Sequence, residues 1–203
     1  MQEQEVIILL KDKLNFSEKS IEKLKLFSKS LIIANKKHNF ISKSTEPNIW
    51  QRHILDSAQL VKFIDFEKGS VADLGSGAGF PGIILAIFNE NKDFHVKLYE
   101  KSPVKRIFLL DMVKKLNLTA NVISNVYENE MKSEVLVCRA FKKLDQIIQV
   151  SREINKIPHK LVVLKGKNAQ EELNKAFKNK KYPYKIEKSM TNDDSKIIII
   201  NFK

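Results

Sequence analysis

Cysteine, glycine, proline and tryptophan are all scarce in this chain: one, six, five and one in 203 residues. The single cysteine, Cys138, excludes an intrachain disulfide and any zinc site built from several thiolates. It suits a reducing, cytoplasmic compartment. No apolar run approaches the ~20 residues that a spanning helix needs, so no membrane partner is expected. The N-terminal stretch MQEQEVIILLKDK holds one short apolar run, at 6–10, behind acidic residues, which is not the pattern of a signal peptide. There is no repeat, no low-complexity segment and no Pro/Gly/Ser linker. Acid is short too: 24 Asp and Glu against 36 Lys and Arg leave a net charge of +12. Such an excess suits a phosphate-rich partner, although lysines that merely solvate a surface give the same balance.

What is present divides into two textures. Hydrophobic residues make up 43% of the chain, enough for one domain with a proper core. Residues 1–66 read as a helical extension. Leu24, Phe27, Leu31 and Ala34 share a helical stripe that Ser17 can cap. After a break at HNFISKSTEPN, the run IWQRHILDSAQLVKFI places Trp50, Ile54, Ser57, Val61 and Ile64 on one side. From 67 to 203 short apolar runs alternate with helical patterns, among them one capped by Ser102, and YPYKIEK and KIIIINF close the chain as an antiparallel pair. The alternation predicts an α/β fold, a mainly parallel sheet with helices on both faces, forming one compact unit. Ligands in such folds bind at the carboxyl ends of the strands.

Four of the six glycines fall in one short run, Asp73-Leu-Gly75-Ser76-Gly77-Ala-Gly79-Phe80-Pro-Gly82. Glycine there lets the backbone turn and lets a ligand approach without a Cβ in the way. GAGFPG satisfies the dinucleotide fingerprint, while an acid two residues before G-x-G-x-G resembles motif I of S-adenosylmethionine-dependent methyltransferases. Glu100 ends the next strand and can accept both hydroxyls of an adenosine ribose under either reading. Tyr127 and Glu128 follow the third strand, where an adenine would lie. After the fourth strand, VLVCRAF lacks both the Pro-Pro-aromatic motif of amine methylation and the proline that usually precedes a pyrimidine-attacking thiolate. Cys138 reads as a small buried residue. Arg139 can hold a carboxylate or a phosphate, since a guanidinium matches both.

RHILDS (52–57), DLGSGAGFPG (73–82), CRAF (138–141) and LKG (164–166) occur in that order. The set resembles the bacterial glucose-inhibited division protein B family, the ribosomal RNA small-subunit methyltransferase G enzymes, over most of the chain from about residue 35. That resemblance implies a Rossmann-like, seven-stranded methyltransferase core with an N-terminal helical extension. It implies transfer of a methyl group from S-adenosylmethionine to N7 of a guanine in 16S ribosomal RNA. It implies cofactor contacts at Gly75, Phe80, Tyr127, Glu128 and Arg139. Glu100 stands where relatives often have Asp, Tyr127 replaces a smaller residue, and NFIS (39–42) replaces Asn-Leu-Thr.

Guanine N7 carries a lone pair and no proton, so no general base is needed and positioning dominates. Asn39, Arg52, His53, Arg139 and Lys165 are the candidates to hold the base, in part through O6. Each also has a plain structural reading: His53 as a core histidine, Arg52 as the i,i+4 partner of Asp56. The target should be unpaired, because the A-form major groove hides N7. The substrate is expected to be the small ribosomal subunit or an assembly intermediate, met by a monomer. Three alternatives stay open: a methyltransferase of a metabolite or protein, a nicotinamide-dependent oxidoreductase using GAGFPG, and a non-catalytic RNA-binding protein.

Overall fold

Strands that are apolar at nearly every position belong in a sheet covered on both faces. The structure, a computed structural model, describes residues 1–127, 130–178 and 182–203. Its strands are β1 Ser70–Leu74, β2 His95–Tyr99, β3 Ala120–Ile123, β4 Val135–Arg139, β5 His159–Lys165, β6 Tyr184–Lys188 and β7 Lys196–Phe202. They form one sheet in the order β3-β2-β1-β4-β5-β7-β6. β1 pairs in parallel with β2 and β4, β2 with β3, and β4 with β5. β7 runs antiparallel to both β5 and β6. This is the Rossmann-like, mainly parallel seven-stranded sheet that was expected, with the closing pair antiparallel.

Alternate side chains along each strand divide between two apolar clusters. Val71, Val96, Leu98, Val137, Val162 and Ile199 face one cluster. Ala72, Leu74, Leu136, Cys138, Val163 and Ile198 face the other. The first face is covered by α1 Glu3–Leu14, α2 Glu18–His38, α3 Asp56–Ala58, α4 Gly82–Phe88 and α5 Pro103–Lys115. The second is covered by α6 Leu144–Ile154 and α7 Ala169–Ala176. Val6, Leu10, Leu24, Phe27 and Ile54, all within the helical first part, lie in the same cluster as Val71 and Ile84. No helix among the described residues is long and apolar enough to cross a membrane.

α2 starts where its cap requires: the Ser20 N–H donates to Ser17 Oγ at 3.2 Å. Leu24, Phe27 and Leu31 are buried along its inner stripe. The run from 50 to 63 is helical, as its apolar spacing predicts, but its pitch changes. Trp50–Leu55 is wound as a π-helix, Asp56–Ala58 as an α-turn and Gln59–Phe63 as a 3-10 helix. Trp50, Ile54, Ser57, Val61 and Ile64 are all buried. A π-wound stretch marks a place where packing or function overrides regular hydrogen bonding. Ser102 precedes α5 but its side chain makes no cap. Its N–H is held instead by Glu100 Oε1 at 2.7 Å, because that carboxylate reaches back over the start of the helix.

α4 approaches the sheet so closely that a Cβ on Gly82 would lie 2.2 Å from Leu98 Cδ2 and 2.6 Å from Asp73 Oδ2. Overpacking of this kind costs about 1–3 kcal/mol. For a domain of this size that lowers Tm by roughly 2–12 °C. Gly82→Ala is therefore expected to melt within that range below wild type by circular dichroism. An unchanged Tm would show that α4 is free to lift away.

Candidate active site

Strand order reverses about β1, whose neighbours β2 and β4 lead the sheet in opposite directions. Above the carboxyl ends of these strands lies a cleft of about 630 Å³, within the usual range for small-ligand sites. The chain leaves β1 through Gly75, at φ +76°, where a Cβ would stand 2.6 Å from the Phe141 ring. The Gly75 and Ser76 N–H groups both donate to the Tyr99 carbonyl at 2.9 Å. The Gly77 N–H donates to Glu100 Oε2 at 2.8 Å. Those of Gly79 and Phe80 donate to the Ser76 carbonyl at 2.8 and 3.0 Å. A Cβ on Gly77 would meet nothing nearer than 3.9 Å, so this is the position where a side chain would fill the cleft.

Asp73 is fully buried beneath this turn. Its Oδ2 accepts the Gly82 N–H at 2.8 Å, and its Oδ1 has no partner among the described residues. Burial pushes its carboxyl up to about 7, opposed by the Ser76 hydroxyl and then by the Gly82 N–H. A dinucleotide pyrophosphate would need free N–H groups at the start of the following helix. Here a carboxyl group occupies Gly82, and Pro81 offers no N–H. The glycine run therefore works by shape, and the dinucleotide reading loses its anchor. Asp73 and Gly79 support the turn from behind and do not line the cleft.

Glu100 directly follows β2, buried and lining the cleft. Each of its oxygens accepts one backbone N–H, from Gly77 and from Ser102. Each keeps a lone pair for a ligand hydroxyl. Tyr127 stands at the rim, 55% exposed, while Glu128 lies outside the described residues. The glycine turn, the Glu100 acceptor and the surrounding cations fit S-adenosylmethionine, which combines an adenosine with an amino-acid carboxylate.

Arg139, at the end of β4, organises the opposite wall. Its Nη1 donates to the Arg52 carbonyl at 3.0 Å and lies 3.5 Å from Asp56 Oδ2. Its Nη2 lies 2.8 Å from His53 Nδ1. A guanidinium only donates, so Nδ1 must be the acceptor and the proton sits on Nε2. That nitrogen is 2.9 Å from Thr45 Oγ1. Burial first, then Arg139 and Arg52, push His53 down to about 3. The imidazole stacks on Phe80 at 5.0 Å between centroids, and Arg139 covers the same ring at 5.0 Å. The partner of Asp56 is thus Arg139 and not Arg52, whose side chain is exposed. Burial raises the Asp56 carboxyl, opposed mainly by Arg139.

The cleft brings together Gly75, Ser76, Gly77, Phe80, Glu100, Tyr127, His53 and Arg139. Asn39, Arg52 and Lys165 stand outside its lining. Asn39 is the left-handed C-cap of α2, at φ 48°. Lys165 Nζ is turned to the Lys142 carbonyl at 2.7 Å and to Glu172 Oε2 at 2.8 Å. Cys138 is buried, and burial raises its thiol further from ionisation, as a core residue requires. Phe40, Phe141 and Lys142 line the cleft without having been singled out. Phe40 belongs to NFIS and Phe141 to CRAF, where an apolar residue carries no signal of its own.

His53 yields a pH test. Its folded value lies below the ordinary 6.5, so the unfolded chain takes up a proton that the folded chain refuses. The stability it contributes is complete above about 6.5 and is lost as pH falls toward 3. His53→Gln keeps an acceptor for Arg139 and a donor for Thr45 but cannot titrate. Its Tm is expected to fall less steeply than wild type between pH 6.5 and 4. Parallel curves would show that His53 is protonated within the fold.

Comparison with known proteins gives the same picture. The GidB family, rRNA small subunit methyltransferase G, matches residues 20–197. The ribosomal RNA small subunit methyltransferase G of Rickettsia prowazekii is 40% identical over 182 residues, covering 89% of this chain and 93% of that protein. Its counterpart in Orientia tsutsugamushi is 34% identical over 198 residues, covering 97% and 98%. Among solved structures, M. jannaschii TYW2 in complex with AdoMet shares the fold, with a TM-score of 0.54 at 18% identity over 74% of each chain. The chain belongs to the GidB family of rRNA small subunit methyltransferases and is an S-adenosylmethionine-dependent enzyme.

Proposed function

We propose that this enzyme methylates N7 of a guanine in 16S ribosomal RNA, acting as a cytoplasmic monomer on the small subunit or an assembly intermediate. The observation that carries the reading is the wall formed by Arg139, His53 and Phe80, facing Glu100 across one cleft. It offers fixed donors held on a buried aromatic ring, and its one imidazole is locked neutral.

In this reading Glu100 accepts the ribose hydroxyls, the 124–127 stretch borders the adenine, and Gly75 and Gly77 leave room for the chain between them. Arg139 or Lys142 takes the amino-acid carboxylate. S-adenosylmethionine, when bound, supplies an electrophilic sulfonium methyl. The protein places the guanine with its N7 lone pair toward that methyl, using Phe80 and Phe141 as apolar walls. Lys142 and Arg139 are the donors within reach of O6. N7 gives up no proton, so a histidine that stays neutral and fully hydrogen-bonded suits this site better than a general base would. Catalysis then comes from orientation and fixed charge. Residues 1–66 serve as an extension that supplies His53 and Phe40 to the cleft. The net charge of +12 supports binding to RNA phosphates that weakens with salt.

The test is transfer of labelled methyl to small subunits isolated from a strain lacking the enzyme, followed by nucleoside mass spectrometry. The expected product is 7-methylguanosine. Gly75→Asp, which drives a side chain toward Phe141, and Arg139→Ala should each lower the rate by ~100-fold or more. Cofactor binding without RNA label would move the substrate to a metabolite or protein.

A further inference from the structure

A second concavity adjoins the cleft. It runs between α2 and α5, measures about 550 Å³, and shares Phe40 with the cleft as a common wall. Its floor is apolar and open to solvent: Ile107 is 68% exposed, Ile33 58% and Val104 45%. Exposed aliphatic residues gathered in one groove mark a surface meant to be covered. Near its Phe40 end the exposed His38 ring lies almost parallel to Phe40, 20° apart with centroids at 5.4 Å. Phe40 in turn packs on Phe108 at 5.0 Å. The groove is therefore fronted by a small aromatic platform.

The rim is basic. Lys37 lies in the last turn of α2, Lys115 closes α5, and Lys115 Nζ crosses to Ser30 Oγ at 3.1 Å. Asp111 is the one acid in the lining. Toward the cleft the line of cations continues through Lys105 and Lys101. An apolar and aromatic floor between lysines is how proteins hold single-stranded nucleic acid: bases stack on the floor and phosphates follow the rim. A helix from a basic protein would meet repulsion here.

We infer that the groove between α2 and α5 holds an unpaired stretch of ribosomal RNA next to the target guanine, with a base on His38 and Phe40 and the sugar-phosphate chain between Lys37 and Lys115. The inference rests on the functional reading above and extends it from one base to its neighbours. Because Phe40 belongs to both concavities, a strand lying in the groove enters the cleft directly. The groove thereby selects for RNA that is single-stranded on one side of the guanine.

The test uses two uncharged changes on exposed positions, His38→Ala and Ile107→Ser, with Lys37→Gln as the charge variant. Methyl transfer to naked 16S rRNA and to small subunits is measured with each, alongside filter retention of 16S rRNA and cofactor affinity. The expected result for the first two is a KM for naked RNA raised roughly tenfold, with kcat and cofactor affinity unchanged. Lys37→Gln should lower the salt dependence of RNA retention by about one phosphate contact. An unchanged KM for naked RNA overturns the inference. A defect seen only with subunits would assign the groove to a ribosomal protein, and a wild-type dimer that the variants dissociate would assign it to a second copy. Either result overturns it. Failure of the functional reading is separable: wild type would then transfer no methyl to RNA, and filter retention alone would decide the groove. Equal retention by wild type and variants, or none by wild type, counts against it.

Discussion

Asp73 Oδ2 and the Gly82 N–H meet at 2.8 Å inside the core, and the shape of the catalytic end follows from that contact. It draws the start of α4 onto β1 and β2 until only a glycine fits between Asp73 and Leu98. With α4 seated so low, Ile83, Ile84, Leu85 and Ile87 are all buried. The residues between strand and helix then have nowhere to go except up and over the strand ends. That is the glycine turn. Burying a carboxyl group is unfavourable, and two things offset it here. The N-terminal end of a helix favours a negative group, and the elevated affinity for a proton lets Asp73 remain neutral for part of the time near neutrality. The same arrangement stops the helix start from acting as a phosphate site. One contact thus both builds the glycine turn and narrows what that turn can hold.

The opposite wall depends on a single guanidinium. Arg139 comes from β4, His53 and Asp56 from the helical first part, and Thr191 from the turn between β6 and β7. Thr191 Oγ1 donates to Asp56 Oδ1 at 3.0 Å. Gln59 bridges Asp56, Ser189 and the Met190 N–H. Asp56 passes the connection to Arg139, and Arg139 passes it to His53 and onward to Thr45. Segments more than 100 residues apart in the chain (Thr45 to Thr191) are joined through hydrogen bonds that meet at one side of the cleft. This largely buried pair, with side chains 19% and 16% exposed, matters less for stability than for geometry. Pairs of this kind contribute modestly to folding but hold their partners in one orientation. The fixed tautomer of His53 is the outcome.

Much of this was legible in the sequence because it is local. Most strands are short apolar runs between turn residues, and helices such as α2 and α6 show a buried stripe, so the α/β alternation could be read directly. The glycine run and Glu100 lie next to strand ends, where topology alone puts a ligand. What could not be read is long-range. Arg52 and Asp56 have the spacing of a helical ion pair, yet Asp56 turns to Arg139, because at that point the helix is wound as a π-turn and its side faces β4. Lys165 sits at a strand end like Arg139, but Glu172 on the next helix captures its ammonium. Nor does the sequence say that β7 inserts between β5 and β6, since a closing hairpin can add to either edge with the same alternation. Phe40 and Phe141 carry no signal in the sequence, because an apolar residue has no distinguishing chemistry until the fold shows which side faces the ligand.

Net charge by itself does not choose between RNA and a small substrate, since surplus lysines can be mere solvation. Their placement does more. Lys101, Lys105 and Lys142 stand around the mouth of the cleft, while Glu100 is the carboxylate within its lining and is already committed to backbone N–H groups. Lys101, Lys105 and Lys142 line the cleft and would act on an anionic metabolite too, but Lys37 and Lys115 lie beyond it in the neighbouring groove, where salt screening leaves them little hold on an enclosed ligand. A polyanion that enters the cleft by one base and extends past it would feel every one of them. The hydrogen-bonded interior and the basic surround therefore suit the same substrate. The interior suits an uncharged heterocycle with a lone pair to offer, and the surround suits the phosphates on either side of it.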